Sequence, residues 1–123
     1  MIVEPISGDF SIEELKVVIA HRPWGKYRVL TNYGHVKVKE LIVDPGKNLS
    51  YQRHKFRHES WFVVSGTGVL NSDGLDIPLQ RLTTINIPAE TWHQLINSGT
   101  EPLHLVEIQH GSECDEADIE RAE

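Results

Sequence analysis

The chain has 123 residues and a formal net charge of −6 with its histidines neutral, and 39% of its residues are hydrophobic. This length provides one hydrophobic core, so we expect one domain. The acidic balance argues against general nucleic-acid binding, and the single cysteine excludes an internal disulfide framework. No apolar run approaches the ~20 residues of a membrane-spanning helix, and the first residues lack a signal-peptide pattern. We therefore expect a cytoplasmic protein.

The first predicted element is a short amphipathic helix over residues 11–20. Ser11 and Glu14 have the spacing of a capping box, and apolar residues follow at helical intervals. Pro23 blocks its continuation. We expect this N-terminal extension to cover a sheet edge or to contribute to a two-fold dimer, since small β domains leave edges that need covering.

The remainder of the chain, almost to its end, has the pattern of short strands separated by turn residues. Many short strands at this interval, with no long helix between them, favour an antiparallel sandwich or barrel. After Gly111 the chain is acidic, and the pattern does not decide whether this tail is helical or frayed. The predicted strands are 27–31, 35–43, 49–54, 60–65, 68–71, 76–79, 82–87, 93–97 and 103–109.

The charges are distributed unevenly along the sequence. Residues 1–57 contain ten Lys and Arg against six Asp and Glu, whereas residues 58–123 contain two against twelve. The cations therefore gather before and around the histidine-rich stretch, as a protein with a small anionic ligand would require.

Four residues from two predicted hairpins form a candidate metal site. Gln52 and His54 are two positions apart, so on a strand their side chains leave the same face. Glu59 follows after a short bend, and His93 begins a later strand. Two imidazoles, a carboxylate and a carboxamide suit one divalent cation. Gln52 either binds the metal or holds a water or substrate hydroxyl.

Cationic side chains near these residues are candidates for holding an anion. Arg57 lies between His54 and Glu59, where its guanidinium would either neutralise an oxyanion or clamp a phosphate, or remain a solvated arginine of the turn. Lys37 and Lys39 share one face of a predicted strand with Leu41 and Val43. That face either lines the interior or lets the two lysines extend outward to solvent.

The other histidines are weaker candidates. His58 and His110 are possible acid–base groups, of which we would test His58 first. We assign His21, His35 and His104 to the surface or to packing.

The spacing of Gly46, Gln52, His54, Glu59 and Gly66 resembles the first cupin motif, with Gln52 in place of its first histidine. The second motif is represented by Pro88, His93 and Asn97, but Leu82 and Glu90 stand where that motif has glycines. The resemblance implies a single cupin domain of the double-stranded β-helix or jelly-roll type. Within residues 1–123, residues 1–21 would be the extension, 22–111 the core and 112–123 the acidic tail.

Flanking residues resemble more narrowly the type II mannose-6-phosphate isomerase domain, from about Arg22 to Gly111. They include Arg22-Pro-Trp-Gly25, Val36-Lys-Val-Lys39, Gln52-x-His54-x-x-Arg57-x-Glu59-x-Trp61 and Glu107-x-Gln109-x-Gly111. In that family the domain often follows a nucleotidyltransferase domain that makes GDP-mannose, and the chain shows no Gly-rich nucleotide loop before the cupin pattern. Lys55 and Phe56 replace two histidines of the family, and Ile96 replaces a glutamate.

The resemblance implies a metal-dependent isomerase that interconverts mannose 6-phosphate and fructose 6-phosphate. It would use one divalent ion (Zn, Mn, Co, Ni or Fe), with Arg57 and His58 in catalysis and Lys37 and Lys39 binding the sugar phosphate. Two alternatives remain open. One is a cupin that binds sugars or regulates another enzyme without catalysis, and the other is a non-haem metal oxygenase, whose iron sites often present two histidines and one carboxylate.

Overall fold

A computed structural model describes residues 18–122, and these residues form strands joined by turns and loops, without a helix. The eleven strands are β1 (Ile19–Arg22), β2 (Gly25–Asn32), β3 (Val36–Val43), β4 (Gln52–Arg53), β5 (Arg57–Ser65), β6 (Gly68–Ser72), β7 (Leu75–Leu79), β8 (Thr84–Ile87), β9 (His93–Ile96), β10 (Leu103–Gly111) and β11 (Glu120–Arg121).

The strands form two sheets in which every neighbouring pair is antiparallel. The six-stranded sheet has the order β1-β2-β3-β10-β5-β8, and the five-stranded sheet has the order β11-β4-β9-β6-β7. Strand β10 lies between β3 and β5 and pairs with both over almost its whole length. The last long strand of the chain thus joins its first and second thirds, and residues distant in sequence come into register.

The core lies between the inward faces of the two sheets. Its buried members are Leu41, Val43, Trp61, Val63, Leu70, Leu79, Ile87, Leu95, Leu103 and Leu105. Along β3, β5 and β10 every second residue is buried, as expected for strands with one face packed on a core.

The inward face of these three strands has two parts. An apolar half contains Leu41, Val43, Val63, Leu103 and Leu105, and a polar half contains Lys37, Lys39, Arg57, Glu59, Glu107 and Gln109. Strand pairing aligns the halves, because Gln109 lies opposite both Lys37 and Glu59, whereas Leu105 lies opposite Leu41 and Val63. Each strand therefore contributes hydrophobic side chains at one end and ionisable side chains at the other.

The sequence-based prediction of an all-β fold is confirmed. The predicted helix over residues 11–20 lies mostly outside the described residues, and its last two residues, Ile19 and Ala20, instead begin strand β1. They pair with Arg28 and Tyr27 of β2, so backbone hydrogen bonds of the hairpin replace those of a helical turn. In the acidic tail, β11 pairs with β4. None of the described residues forms a helix long and apolar enough to cross a membrane.

Three of the described residues other than glycine have left-handed backbone conformations, of which Asp73 has φ 49°. Leu82 has φ 72° and Glu90 has φ 66°, a region in which a Cβ atom is sterically unfavourable. These are the two positions where the second cupin motif has glycines. Both turns thus have a conformation that glycine adopts readily, although neither residue is a glycine.

Candidate metal centre

Three buried side chains from different parts of the fold meet between the sheets. His54 follows β4, Glu59 belongs to β5, and His93 begins β9. Each residue offers one candidate ligand atom, and these atoms all lie within 4.8 Å of one another. None of the three side chains is more than 3% exposed. This cluster is the one that the sequence spacing predicted.

The ligand atoms face one another at short range. Oε1 of Glu59 lies 3.0 Å from Nε2 of His93 and 3.5 Å from Nε2 of His54. One carboxylate oxygen therefore lies between two imidazole nitrogens. The arrangement brings three electron-pair donors to a common point.

Backbone carbonyls fix which nitrogen of each imidazole carries a proton. Nδ1 of His54 is 2.7 Å from the carbonyl oxygen of Asp118, and Nδ1 of His93 is 2.8 Å from that of Thr91. A carbonyl can only accept, so both Nδ1 atoms are donors. The neutral rings then keep their lone pairs on Nε2, and Nη2 of Arg57 donates to Nε2 of His54 at 3.2 Å. A metal-ligating histidine is usually oriented by a hydrogen bond from its other ring nitrogen, which is Nδ1 in both histidines here.

Two atoms of the cluster have no hydrogen-bond partner. Oε1 of Glu59 and Nε2 of His93 are buried and unpartnered, although they lie 3.0 Å apart. In the neutral tautomer both atoms are acceptors, so their approach is repulsive unless a proton or a cation lies between them. Buried polar atoms are rarely left unsatisfied. Two imidazole nitrogens and a carboxylate oxygen are also a donor set that divalent transition metals accept, so the residues fit a metal ion.

The charges of the cluster keep its carboxylate ionised. Burial alone would raise the pKa of Glu59, but the hydrogen bond that a protonated His93 would donate, together with the charges of both histidines and Arg57, lowers the pKa to about 2. Burial lowers the pKa of His54 and outweighs the attraction of Glu59. Burial also acts to lower the pKa of His93, but the hydrogen bond and charge of Glu59 raise it overall. In the metal-free protein, burial thus favours the neutral form of His54, whereas Glu59 favours protonation of His93.

Gln52 and Arg57 flank the cluster. Gln52 is paired with His93 across β4 and β9 and lines the adjacent cavity. Arg57 is 6% exposed, and its Nη2 lies 3.6 Å from Oε2 of Glu59. Its guanidinium therefore contacts the carboxylate oxygen that does not face His93.

The cluster opens into a cavity of about 510 Å³. Its lining includes Arg57, Lys39, Glu107 and Glu116, and also the aromatic pair Trp24 and Tyr27, stacked with ring centroids 6.3 Å apart. A cavity of this size lies within the usual range for small-molecule sites. Cations, carboxylates and aromatic rings together suit a polar, charged ligand.

Lys37 and Lys39 point inward, which decides between the two orientations that the sequence left open. Both residues are 6% exposed. Their Nζ atoms lie 3.2 Å and 2.5 Å from the same oxygen, Oε1 of Glu116. Nζ of Lys39 also lies 4.5 Å from the ring centroid of Tyr27. The two lysines therefore form one buried cationic site at the edge of the polar half.

Sequence reasoning gave no role to Glu107, which lies inside the cavity. Its carboxylate accepts hydrogen bonds from Nε1 of Trp61 at 3.0 Å and from Nε2 of Gln109 at 2.6 Å. Burial and the negative charge of Glu59 raise its pKa to about 8. The sequence pattern could have indicated that Glu107 points inward, because it alternates with Leu103 and Leu105 along one strand and must share their face.

His58 lies outside this arrangement. It is on the opposite face of β5 from Glu59 and is exposed. Its ring stacks on His110 with a centroid separation of 5.3 Å, and Nδ1 accepts a hydrogen bond from the backbone N–H of Ala89 at 3.0 Å. Adjacent residues of a strand point to opposite faces, so the structure does not bring His58 together with the cluster.

The departures from the family pattern also lie away from the cavity. Lys55 and Phe56, which replace histidines, are both exposed. Ile96 alternates with His93 and Leu95, which are buried, and so belongs to the other face of β9. None of the three lines the cavity. The replacement of these three residues therefore does not change the set of residues that line the cavity.

Comparisons with known proteins agree with this reading of the chain. A family model described as "Mannose-6-phosphate isomerase C-terminal" matches residues 12–123. The alginate biosynthesis protein AlgA of Pseudomonas aeruginosa is 42% identical over 103 residues, which are 84% of this chain and 21% of that protein. A mannose-1-phosphate guanylyltransferase of Escherichia coli K12 is 38% identical over 120 residues, which are 98% of this chain and 25% of that protein. The chain thus spans about a quarter or less of these two relatives.

Among solved structures, the capsular polysaccharide assembling protein CapF of Staphylococcus aureus superimposes with a TM-score of 0.72 at 20% identity. The match covers 88% of this chain and 34% of that protein. At this identity the likeness concerns the fold, which is that of the cupins. The match over residues 12–123 shows that the chain belongs to the mannose-6-phosphate isomerase C-terminal family.

Proposed function

We propose that the chain is a metal-dependent isomerase that interconverts mannose 6-phosphate and fructose 6-phosphate. The observation that carries this proposal is the buried cluster of His54, Glu59 and His93, which opens into a cavity lined by Arg57 and Lys39. Family membership supplies the substrate class. An isomerase of this kind must hold a phosphate at one end and move a proton at the other, and the cavity contains groups for both tasks.

His54, Glu59 and His93 would hold the divalent ion, with Gln52 as a fourth ligand. When bound, the ion supplies Lewis-acid polarisation of the sugar carbonyl. Arg57 lies against the same carboxylate and histidine, so its guanidinium is placed to stabilise negative charge that develops on the sugar oxygens. The buried setting strengthens this interaction, because little water screens it.

Lys37 and Lys39 would bind the phosphate. Two ammonium groups that already share one carboxylate oxygen can share a phosphate oxygen in the same way. Holding the phosphate there fixes the orientation of the sugar relative to the cluster.

Glu107 is the residue we propose for proton transfer in place of His58. It is the carboxyl group of the cavity wall that belongs neither to the metal cluster nor to the lysine pair. Hydrogen bonds from Trp61 and Gln109 hold its two oxygens. The carboxylate would take the proton from C2 of the aldose and return it to C1, while a hydroxyl proton moves between O1 and O2.

A coupled assay on purified, metal-loaded protein tests the proposal. We expect isomerisation above the blank, with Lys39→Met raising KM and sparing kcat if the lysine binds the phosphate equally in the ground and transition states. Lys55→Met is the matched control, because Lys55 is exposed and lies outside the cavity. A metal-loaded protein with no isomerisation would end this proposal.

The second candidate is a sugar-phosphate-binding domain without turnover. The observation that favours it is the lysine pair Lys37 and Lys39, which accounts for binding of an anion without proton transfer. Binding of fructose 6-phosphate without isomerisation would support it. An oxygenase would instead show bound iron and oxygen uptake, whereas activity with interchangeable redox-inert metals would favour the isomerase.

A homodimer is proposed with either function, and light scattering above the 14.0 kDa monomer mass would support it.

A further inference from the structure

We propose that Glu116 is an internal anion that occupies the phosphate site, and that a phosphate-bearing ligand binds by displacing it from Lys37 and Lys39. The inference rests on the proposed function only in taking the two lysines as the anion site. It adds an intramolecular competitor from the C-terminal segment, defined here as residues 112–117.

The contacts of Glu116 are those of a bound anion. A single carboxylate oxygen lies 3.2 Å from Nζ of Lys37 and 2.5 Å from Nζ of Lys39. Burial acts to raise the pKa of Glu116, but the hydrogen bonds and charges of both lysines lower it overall, so the group is ionised. The lysine side chains are 8% exposed, whereas that of Glu116 is 52% exposed. The competitor can therefore leave toward solvent while the cationic site stays in place.

The lysine pair requires an anion. Within residues 18–122, Glu116 is the one carboxylate that forms an ion pair with either lysine. Two buried ammonium groups without a counter-charge would be strongly destabilised. Departure of Glu116 is therefore unfavourable unless another anion replaces it, so ligand binding and release of Glu116 are coupled.

The local structure allows Glu116 to leave without disturbing the metal cluster. On one side of the segment, the N–H of Gly111 donates to the carbonyl of His35. On the other side, the Asp118 carboxylate accepts hydrogen bonds from the N–H groups of Lys55 and Phe56, both at 2.9 Å. At the end of the segment, the N–H groups of Ala117 and Asp118 donate hydrogen bonds to Asp115, which lies within the segment itself. Within the segment Cys114 is only 5% exposed and holds the backbone at that point. Release of Glu116 therefore needs movement only between Cys114 and Asp118, while Asp118 still orients His54.

The exchange would also determine specificity. A phosphate dianion can replace the carboxylate, whereas an unphosphorylated sugar would leave the two lysines paired with Glu116. The competing residue thus weakens binding of a phosphate-bearing ligand by the closed-state factor and leaves binding of an unphosphorylated sugar unchanged, so Glu116→Gln should increase the preference for the phosphate-bearing sugar. This predicts discrimination between fructose 6-phosphate and fructose that depends on Glu116.

Titration with inorganic phosphate tests the competition directly. If Glu116 occupies the site for about 90% of the time, Glu116→Gln should bind phosphate about tenfold more tightly than the unmodified chain. Glu113→Gln is the matched control, since it removes the same charge from the same segment without touching the lysines. In Lys39→Met the gain from Glu116→Gln should disappear. Phosphate affinity that is unchanged or weaker in Glu116→Gln would overturn the proposal.

A second measurement uses the unmodified protein and remains available if Glu116→Gln does not fold. Saturation with phosphate should accelerate hydrogen exchange at the amides of residues 115–117 and leave that of Ala122, which donates to the carbonyl of Tyr51, unchanged. Unchanged or slower exchange over 115–117 would overturn the proposal. Neither measurement requires turnover. A protein that exchanges Glu116 for phosphate but does not isomerise would therefore refute the isomerase alone, and an active isomerase without exchange would refute this inference alone.

Discussion

The apolar half and the polar half of the inward face lie on the same three strands, yet they have opposite effects on the stability of the fold. The apolar half is filled by aliphatic side chains with no more than 4% exposure. The polar half is buried almost as deeply but contains two lysines, an arginine and two glutamates. Burial of the first kind stabilises the fold, whereas burial of the second kind is unfavourable unless each charge is paired. The domain therefore derives its stability from one end of the strands and accepts a cost at the other.

The difference also explains the chemistry of the polar half. Removal of water strengthens interactions among charges and separates the pKa values of similar groups. The pKa of Glu59 is lowered to about 2 and the pKa of Glu107 is raised to about 8, although both residues are buried glutamates on adjacent strands. The cations and histidines around Glu59 account for its low value, and the charge of Glu59 contributes to the high value of Glu107.

The largest expected effect comes from removing a ligand of the cluster. His93→Ala should abolish binding of one divalent ion, and with it any isomerase activity. It should also remove the stabilisation that a folded-state ligand provides, about 2.7 kcal/mol at a metal concentration 100 times Kd. Metal analysis and thermal unfolding measure both effects. His58→Ala should retain its metal, and unchanged metal content in His93→Ala would contradict the site.

A truncation in the apolar half should affect stability and leave the metal site intact. Leu105 is fully buried and contacts the core from the central strand, so Leu105→Ala should lower the free energy of unfolding by about 2–5 kcal/mol. Denaturant unfolding measures the loss. The folded variant should still bind one ion, and loss of the metal from folded protein would show that the two halves are not separable.

Arg57 should affect the reaction more than the fold. Arg57→Ala removes a positioned charge beside Glu59, and we expect kcat to fall by about 10²-fold or more, as for loss of one preorganised donor. Steady-state kinetics test this effect. The control is Arg53→Ala, because Arg53 pairs with Glu120 at the surface. Equal kinetic effects of the two substitutions would argue against the role of Arg57.

The metal-free protein should lose stability as the pH rises above the ordinary glutamate range. Glu107 has a raised folded pKa of about 8, so the unfolded chain releases its proton first, and stability falls between about pH 4.5 and pH 8 by roughly 1.4 kcal/mol for each pH unit. Glu59 acts oppositely, because its lowered pKa provides stability above about pH 4.5 that is lost toward pH 2. Unfolding measured across pH should show a weaker alkaline decline in Glu107→Gln. An identical decline would assign it to other groups.

The smallest expected effect concerns the turn at Leu82, which belongs to neither half of the inward face. Leu82 is 61% exposed and has a left-handed φ, so Leu82→Gly removes a steric cost while adding entropy to the unfolded chain. We expect a net stabilisation of up to about 1 kcal/mol, measured by denaturant unfolding. Leu75→Gly is the control, because Leu75 is also exposed, at 71%, but lies in strand β7, where glycine should destabilise. Destabilisation of both variants would contradict the argument.

The sequence predicted the all-β fold and the meeting of His54, Glu59 and His93 because both depend on intervals along the chain. It assigned Lys37 and Lys39 to one face but could not decide which, since alternation defines a face without showing what packs against it. His58 was the first base that the sequence proposed to test, but alternation along β5 puts it on the opposite face from Glu59. Glu116 gave no signal, because it lies in an irregular segment without a period and meets the lysines only through tertiary structure.

The 3.0 Å approach of Nε2 of His93 to Oε1 of Glu59 has a calorimetric consequence. With Nδ1 of His93 already bonded to Thr91, the metal-free cluster keeps a second proton between the two facing atoms at pH values below the raised pKa of His93. An incoming ion must expel that proton into the solution, as metal uptake by protonated ligands generally does. The heat of metal binding should therefore vary with the ionisation enthalpy of the buffer, with a slope approaching one proton per ion.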